Sequence, residues 1–304
     1  MRRAAALDLG SNTLRLLVAD VGPDGWRPVG RALATPRLGR GLVDGGLLDP
    51  AAKAEARRVA ESFTRQAREL GAQRVALAAT QACRKAADGA GFVADLARDL
   101  GLDRARVLSG PEEADLSRLG ALSRLQGPLA GALLADVGGG STELVDLGDA
   151  ASAPLSLDLG AVSLSEAHLK ADPPDAWQMQ ALVRAVHNGL KPLSGRRAAR
   201  LVASAGTAAT LASLVLRLSR YQPELVNNLL LGRRQLQGQM ARLAALPLSQ
   251  RRQIPGLEPE RADIILGGLA ILDGLLERLG LDRLTVMDAG LLEGILLDDL
   301  ANDI

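Results

Sequence analysis

The amino-acid sequence predicts an α/β protein made of two similar domains, and three observations lead to this fold class. Apolar strand-like segments alternate with helical segments along 304 residues, a length that allows two separate cores. A pattern of strand, Asp-x-Gly turn and strand occurs at residues 7–18 and again at 133–145. The chain opens with strand, turn and strand, whereas a dinucleotide-binding fold opens with strand and helix. A pattern that occurs twice therefore predicts a duplicated two-domain fold.

The repeated turn carries the residue types of an anion site. Its two copies match at three pairs of positions: Asp8 with Asp136, Gly10 with Gly138, and Thr13 with Ser141. Glycine lets the backbone bend sharply, and consecutive N–H groups in such a turn form a concave nest for an anion. A carboxylate at the strand end can hold hydrated Mg²⁺ beside that anion. The turns predict a phosphate-and-metal site, and a plain glycine-rich hairpin is the alternative. Two such turns that faced each other across a cleft would clasp a phosphate chain.

The first half of the chain is predicted to hold most of one sheet. Strands are expected at residues 4–9, 14–19, 26–38, 74–79 and 105–108, and helices at 50–70, 91–100 and from 109 onward. Arg84 follows the strand at 74–79, at the sheet edge where α/β proteins gather their ligands. The helix that begins after Ser109 has Glu112 and Glu113 in its first turn. Acids there also stabilise the helix dipole, so capping is the alternative to a catalytic role.

The second half is predicted to repeat this organisation. Beyond the strand that precedes Asp136, strands are expected at 153–159, 200–204 and 284–287, and helices at 175–193, 234–246, 259–279 and at the end of the chain. The turn around Gly206 precedes a helix and is a third candidate anion site. We place the N-terminal domain at residues 1–125 and the C-terminal domain at 126–304, with the last helix able to return to the first domain.

Composition excludes several classes of partner. The net charge of +1 provides no general field for nucleic acid or membrane surfaces. Aromatic residues make up 2% of the chain, which does not favour base stacking. No apolar run reaches the roughly 18 residues of a membrane span. The single cysteine, Cys83, excludes an internal disulfide and fits a reducing compartment. We expect a cytoplasmic protein that binds neither nucleic acid nor membrane.

Assembled in order, these motifs resemble the exopolyphosphatase / guanosine-pentaphosphate phosphohydrolase (Ppx/GppA) family, in its short two-domain form. The resemblance spans nearly the whole chain, and its strongest blocks lie at residues 8–15, 79–84, 109–114 and 136–143. It implies two ribonuclease-H-like domains of the actin-like ATPase superfamily around a central cleft. It also implies Mg²⁺-dependent release of terminal phosphate from polyphosphate, or of the 5′ phosphate from guanosine pentaphosphate. Mn²⁺ in place of Mg²⁺, a monovalent cation and a homodimer are left open.

The resemblance also assigns roles to individual residues. Glu113 is similar to the family's catalytic carboxylate, which activates water, while Glu143 and Arg84 complete the catalytic set. Asp136 and Asp8 resemble metal-side carboxylates. Phosphate oxygens are expected to contact eleven residues: Gly10, Ser11, Asn12, Thr13, Arg15, Gly138, Gly139, Gly140, Ser141, Thr142 and Gly206.

Two other functions are compatible with the repeated turns. An ATP-dependent kinase or ATPase of the same superfamily would hold nucleotide phosphates in the same way, and a dedicated adenosine pocket would favour it. A non-catalytic sensor of nucleotide or polyphosphate is the third hypothesis. The combination of Glu113, Glu143, Asp136 and Arg84 argues against a sensor and favours the hydrolase.

Overall fold

The computed structural model describes residues 1–23, 25–149 and 151–301. The chain divides into two compact units. Unit 1 contains Met1–Ser123 and Gly290–Ile304, and unit 2 contains Arg124–Ala289. The last helix therefore belongs to the unit that the N-terminal half forms. Each unit is described separately below.

Unit 1 is built on a five-stranded mixed sheet. Its strands are β1 (Arg2–Leu9), β2 (Leu14–Gly22), β3 (Gly25–Ala34), β4 (Arg74–Ala79) and β5 (Arg104–Val107). Their order is β3-β2-β1-β4-β5. Strand β2 is antiparallel to both of its neighbours, β1 and β3, and β4 is parallel to both of its neighbours, β1 and β5. Side chains of β1 alternate between two apolar clusters, because successive strand residues point to opposite faces of a sheet. Both faces of this sheet are therefore covered.

In the described part of unit 1, five helices cover the sheet. They are α1 (Pro50–Glu69), α2 (Gln81–Lys85), α3 (Gly89–Leu100), α4 (Gly110–Leu122) and, from the end of the chain, α12 (Leu291–Ala301). Glycines allow α4 and α12 to pack backbone against backbone. A Cβ on Gly120 would lie 1.8 Å from the Gly290 carbonyl oxygen, and one on Gly294 would lie 1.9 Å from that of Leu116. No larger residue fits these two positions without displacing a helix.

Unit 2 contains a six-stranded sheet. Its strands are β6 (Ala132–Val137), β7 (Thr142–Asp146), β8 (Leu155–Leu157), β9 (Arg200–Ser204), β10 (Leu230–Gly232) and β11 (Arg283–Val286). Read from β8, the order is β8-β7-β6-β9-β11-β10. The first five strands repeat the order and the relative directions of the unit 1 sheet, and β10 adds an antiparallel edge.

The helices of unit 2 enclose one large apolar core. They are α5 (Ala161–His168), α6 (Ala176–Gly189), α7 (Ala205–Leu216), α8 (Pro223–Val226), α9 (Arg233–Ala244), α10 (Leu248–Arg251) and α11 (Ile265–Leu279). Helix α11 supplies much of this core, since most of its residues are buried. Unit 2 therefore has a core of its own, as expected for a duplicated fold.

The predicted α/β class with a duplicated fold is confirmed, because the two sheets share the order and the relative directions of five strands. The agreement extends to single residues. The antiparallel partner of Asp8 is Arg15, and that of Asp136 is Glu143, at equivalent positions of the two hairpins. The sequence repeat therefore corresponds to a structural repeat with the same register.

Three local predictions differ from the structure. The strand predicted at 26–38 ends at Ala34, and Arg84 lies in the short helix α2, which begins directly after Thr80. The helix predicted at 259–279 is a 3-10 turn, Pro259–Arg261, followed by α11. The strand predicted at 153–159 shrinks to three residues because Leu159 and Gly160 turn toward α5. Within the described ranges, no helix has the length and apolar character needed to cross a membrane.

Candidate phosphate-binding and catalytic sites

The turn between β1 and β2 presents backbone donors at the carboxyl end of β1. The N–H of Gly10 donates to the Thr13 carbonyl oxygen at 2.9 Å, which closes the turn. Within the described residues, the N–H groups of Ser11, Asn12 and Thr13 donate no hydrogen bond. Consecutive N–H groups left open in a tight turn form a concave site for an anion. The turn in unit 1 therefore has the geometry expected of a phosphate loop.

The turn between β6 and β7 has the same closure. Gly138 N–H donates to the Ser141 carbonyl oxygen at 2.9 Å, and the N–H groups of Gly139 and Ser141 donate no hydrogen bond within the described part of the chain. The structure thus gives unit 2 a second anion nest at the equivalent strand end.

Helix α5 holds this second turn in place. Its first N–H groups, on Ala161 and Val162, donate to the carbonyl oxygens of Gly138 and Gly139 at 2.9 and 2.7 Å. A Cβ on Gly160 would lie 2.2 Å from the Gly139 oxygen, so only glycine permits this approach. Because the carbonyls of the turn face α5, the turn is fixed before any ligand arrives.

The two predicted metal-side carboxylates, Asp8 and Asp136, each lie opposite another predicted site residue on the neighbouring strand. In unit 1, the guanidinium of Arg15 donates twice to Asp8 Oδ2, at 2.9 and 2.5 Å, and Asp8 Oδ1 is buried without a hydrogen-bond partner. In unit 2, Asp136 lies opposite Glu143, and both carboxylates are buried. Ser156 Oγ donates to Glu143 Oε1 at 3.0 Å. Each unit therefore buries a carboxylate next to its anion nest.

These carboxylates fit Mg²⁺ in the manner of phosphate-transfer sites. Mg²⁺ is commonly held by one or two carboxylates together with waters and substrate phosphates, not by an all-protein cage. The unpartnered Asp8 Oδ1 is an oxygen that a hard cation would satisfy. In the described ranges, no group of three or more His, Cys, Asp or Glu side chains could hold a metal ion by itself.

Glu113 and Arg84 meet at the carboxyl edge of the unit 1 sheet. Glu113 is 7% exposed, and its Oε2 accepts a hydrogen bond from Arg84 Nη1 at 3.0 Å. The same Arg84 nitrogen donates to the Leu108 carbonyl oxygen at 2.7 Å. The structure brings these two predicted catalytic residues together and holds the carboxylate in a fixed position.

Glu112 has a separate, structural role at the start of α4. Its Oε2 accepts hydrogen bonds from the N–H and the Oγ of Ser109 at 2.8 and 2.7 Å, and Ser109 Oγ accepts one from Glu112 N–H at 3.3 Å. These bonds form a capping box. They also lower the pKa of Glu112, with a smaller contribution from Arg106. The capping role and the buried carboxylate therefore belong to different residues.

The guanidinium of Arg261, a residue to which the sequence analysis assigned no role, lies at the start of α7. A Cβ on Gly206 would lie 1.9 Å from Nη1 of Arg261, so the guanidinium occupies the space beside Gly206. Glu258 Oε2 accepts from Arg261 Nε at 2.5 Å. Ser204, the last residue of β9, is fully buried, and its Oγ has no partner. Nothing in the local sequence signals that Arg261 reaches Gly206.

Cys83 is buried and does not have the properties of a reactive thiol. Burial raises the pKa of the Cys83 thiol to about 12, and the negative charge of Asp88 adds to this effect. The 2% exposure of Cys83 is that of a residue that packs in the core.

In both units, the candidate residues follow adjacent parallel strands. In unit 1, the turn at 10–13 follows β1, α2 with Arg84 follows β4, and α4 with Glu113 comes after β5. In unit 2, the turn at 138–141 follows β6 and Gly206 follows β9. Ligands of open α/β sheets bind outside the carboxyl ends of such strands.

Comparison with known proteins identifies the family. Residues 17–303 match the Ppx/GppA phosphatase family. The chain belongs to this family. Exopolyphosphatase 2 of Mycobacterium tuberculosis is 34% identical over 98% of this chain and 98% of its own length. The predicted Ppx/GppA membership is thereby confirmed.

Of two other relatives, one is longer than this chain and one is of similar length. A guanosine-5′-triphosphate,3′-diphosphate pyrophosphatase of Vibrio cholerae is 28% identical over 97% of this chain, but only 58% of its own length is covered. The crystal structure of the Aquifex aeolicus family member superimposes with a TM-score of 0.83 at 26% identity, covering 99% of this chain and 98% of that one.

Proposed function

We propose that this protein is an exopolyphosphatase, a hydrolase that releases terminal orthophosphate from inorganic polyphosphate. The observation that carries the proposal is the buried Glu113, held by Arg84 at the same sheet edge as the open N–H groups of residues 11–13. A fixed base beside an anion nest is what attack of water on a bound phosphate requires. The full-length similarity to a protein named exopolyphosphatase 2 supports this choice of substrate.

The proposed reaction assigns a task to each group. Glu113 takes a proton from a water molecule while the oxygen of that water attacks the terminal phosphorus. The bond from that phosphorus to the bridging oxygen breaks, and the shortened chain leaves with the bridging oxygen. N–H groups of residues 11–13 bind the non-bridging oxygens, and Arg84 and Arg15 offset their negative charge. Phosphoryl transfer depends mainly on positioning and electrostatics. A base, backbone donors and cationic side chains are therefore the kinds of groups that the reaction needs.

A divalent cation is part of this proposal. Asp8 and Asp136 would hold Mg²⁺, which when bound neutralises charge on the phosphate oxygens. Mn²⁺ has similar preferences for oxygen ligands and is the expected substitute. A monovalent cation, a homodimer and a cytoplasmic location remain predictions from the sequence.

Guanosine pentaphosphate 5′-phosphohydrolase is the alternative activity. The observation that favours it is the similarity to the Vibrio cholerae relative. Its chemistry at the scissile phosphate would be identical, so the catalytic residues do not distinguish the two substrates. An ATP-dependent kinase or a sensor receives less support, because Glu113 would then have no task.

Orthophosphate release tests the proposal. The protein should release phosphate from long-chain polyphosphate with Mg²⁺, and excess chelator should abolish the release. Asp136→Asn, which removes the charge and keeps the shape, should lose most activity at an unchanged melting temperature. Faster release from guanosine pentaphosphate than from polyphosphate would favour the alternative, and full activity in chelator would exclude the metal role.

A further inference from the structure

The loop that follows β3 lies directly against the phosphate turn of unit 1. The N–H of Arg37 donates to the Asn12 carbonyl oxygen at 3.0 Å, and the N–H of Gly39 donates to that of Ser11 at 2.8 Å. A Cβ on Gly39 would lie 2.9 Å from Ser11 Cβ, so the two backbones are as close as a glycine allows. We propose that the turn formed by residues 37–40 is a second phosphate subsite, which binds phosphates of the substrate beyond the terminal one. This inference rests on the proposed function.

The turn presents two arginines close together. Arg40 N–H donates to the Arg37 carbonyl oxygen at 3.0 Å, which makes them the first and last residues of a β-turn. The Cα atoms at these positions of a β-turn lie less than about 7 Å apart. Leu38, between them, is 1% exposed and belongs to the core of unit 1. The buried Leu38 therefore fixes the turn, and Arg37 and Arg40 lie at its two ends.

Arg37 has a backbone conformation that is unfavourable for its residue type. Its φ is +56°, in the left-handed region where glycine and asparagine are common and arginine is not. Such a conformation is strained for arginine, and residues that adopt it cluster at active sites and ligand clamps.

Arg40 is exposed and available to a ligand. Its side chain forms no hydrogen bond or ion pair within the residues that the structure describes. A guanidinium binds phosphate through two parallel hydrogen bonds, and this geometry suits it better than an ammonium group. Arg40 thus provides a positive charge, without a protein partner, next to the predicted phosphate loop.

The phosphate turn itself contains a donor that no protein atom satisfies. Asn12 is 6% exposed, and its Nδ2 is buried with no hydrogen-bond partner. A buried polar group without a partner is costly, so native proteins rarely contain one unless it has a function. Because Asn12 is also the residue to which Arg37 is bonded, the open donor lies at the junction of the turn and the loop. An oxygen-rich anion that spans both would satisfy it.

Direct binding of polyphosphate tests the subsite. The Kd for long-chain polyphosphate and for tripolyphosphate would be measured by calorimetry in wild type, Arg40→Gln and Arg40→Lys. We expect Arg40→Gln to weaken long-chain binding by about 3- to 10-fold, the range for a partly screened charge-assisted contact. The effect on tripolyphosphate should be smaller, and Arg40→Lys, which keeps the charge but not the paired hydrogen bonds, should restore part of the affinity. KM should follow Kd, with kcat nearly unchanged.

Arg65→Gln is the matched control. Arg65 is also an exposed arginine of unit 1 without a side-chain partner in the described residues, and it lies on α1. Equal long-chain affinities of wild type and Arg40→Gln, or an equal loss in Arg65→Gln, would overturn the subsite. Arg40-dependent binding without any phosphate release would contradict the proposed function and support the subsite. Normal hydrolysis with Arg40-independent binding would contradict the subsite alone.

Discussion

At the scale of single residues, two adjacent glutamates differ in burial and in hydrogen-bond partners. Glu112 is exposed and caps α4, whereas Glu113 is 7% exposed and bonded to Arg84. Adjacent helical residues point about 100° apart, so one can cap the helix while the other faces the sheet edge. The sequence alone could not exclude that both were capping residues.

Glu113→Gln should reduce kcat by on the order of 10²–10⁴-fold, because glutamine keeps the shape and removes the general base. Polyphosphate binding should persist, since a negative charge near the anion is gone. Steady-state kinetics and calorimetry on the same preparation would measure both effects.

Glu112→Gln is the control for this prediction. Glutamine also completes a capping box, so both stability and turnover should change little. Equal losses of turnover in the two variants would show that neither residue is the specific base.

Cys83 should resist alkylation in the folded protein. The thiolate is the reactive form, and burial raises the pKa of this thiol to about 12, so very little thiolate exists near pH 8. Mass spectrometry after iodoacetamide treatment should show no adduct on native protein and complete modification in denaturant. Rapid modification of the native form would mean that the site opens.

At the scale of elements, glycines determine how closely the site segments approach one another. Because Gly160 has no side chain, the backbone of the phosphate turn in unit 2 packs closely against it. The guanidinium of Arg261 occupies the space beside Gly206 in the same way. The sequence predicted the turns themselves, because glycine and aspartate at strand ends are local signals. It could not predict that Arg261 reaches Gly206, because 55 residues separate them.

Gly206→Ala should impair substrate use, because its Cβ would displace the Arg261 guanidinium. We expect a higher KM for polyphosphate and a partial recovery of stability when Arg261→Ala is added, since the clash is then removed. Double-mutant analysis of KM and melting temperature would measure this coupling.

Gly238→Ala is a matched control for a glycine-to-alanine change. Gly238 lies within α9, and a Cβ there would meet nothing within 4 Å. Alanine should stabilise the helix by about 0.5–1 kcal/mol and leave KM unchanged. A rise in KM in Gly238→Ala as large as that in Gly206→Ala would contradict the specific role of the α7 turn.

At the scale of the whole molecule, the chain is a structural duplication whose copies have diverged. The equivalent hairpin positions hold Arg15 in unit 1 and Glu143 in unit 2, so one copy pairs its aspartate with a cation and the other with an acid. The repeat, the strand order and most elements follow from local patterns. The sequence left open whether the last helix returns to the first domain. Its placement in unit 1 depends on long-range glycine contacts with α4.

The central claim is that the protein removes orthophosphate from the end of a polyphosphate chain. Phosphorus NMR during digestion of long-chain polyphosphate with Mg²⁺ tests it most directly, because internal, terminal and free phosphate give separate signals. The account predicts that free orthophosphate appears from the start, that internal signal falls in step, and that terminal signal stays nearly constant. Growth of the terminal signal ahead of free orthophosphate would show internal cleavage, and unchanged spectra would show no hydrolysis. Either result would contradict the account.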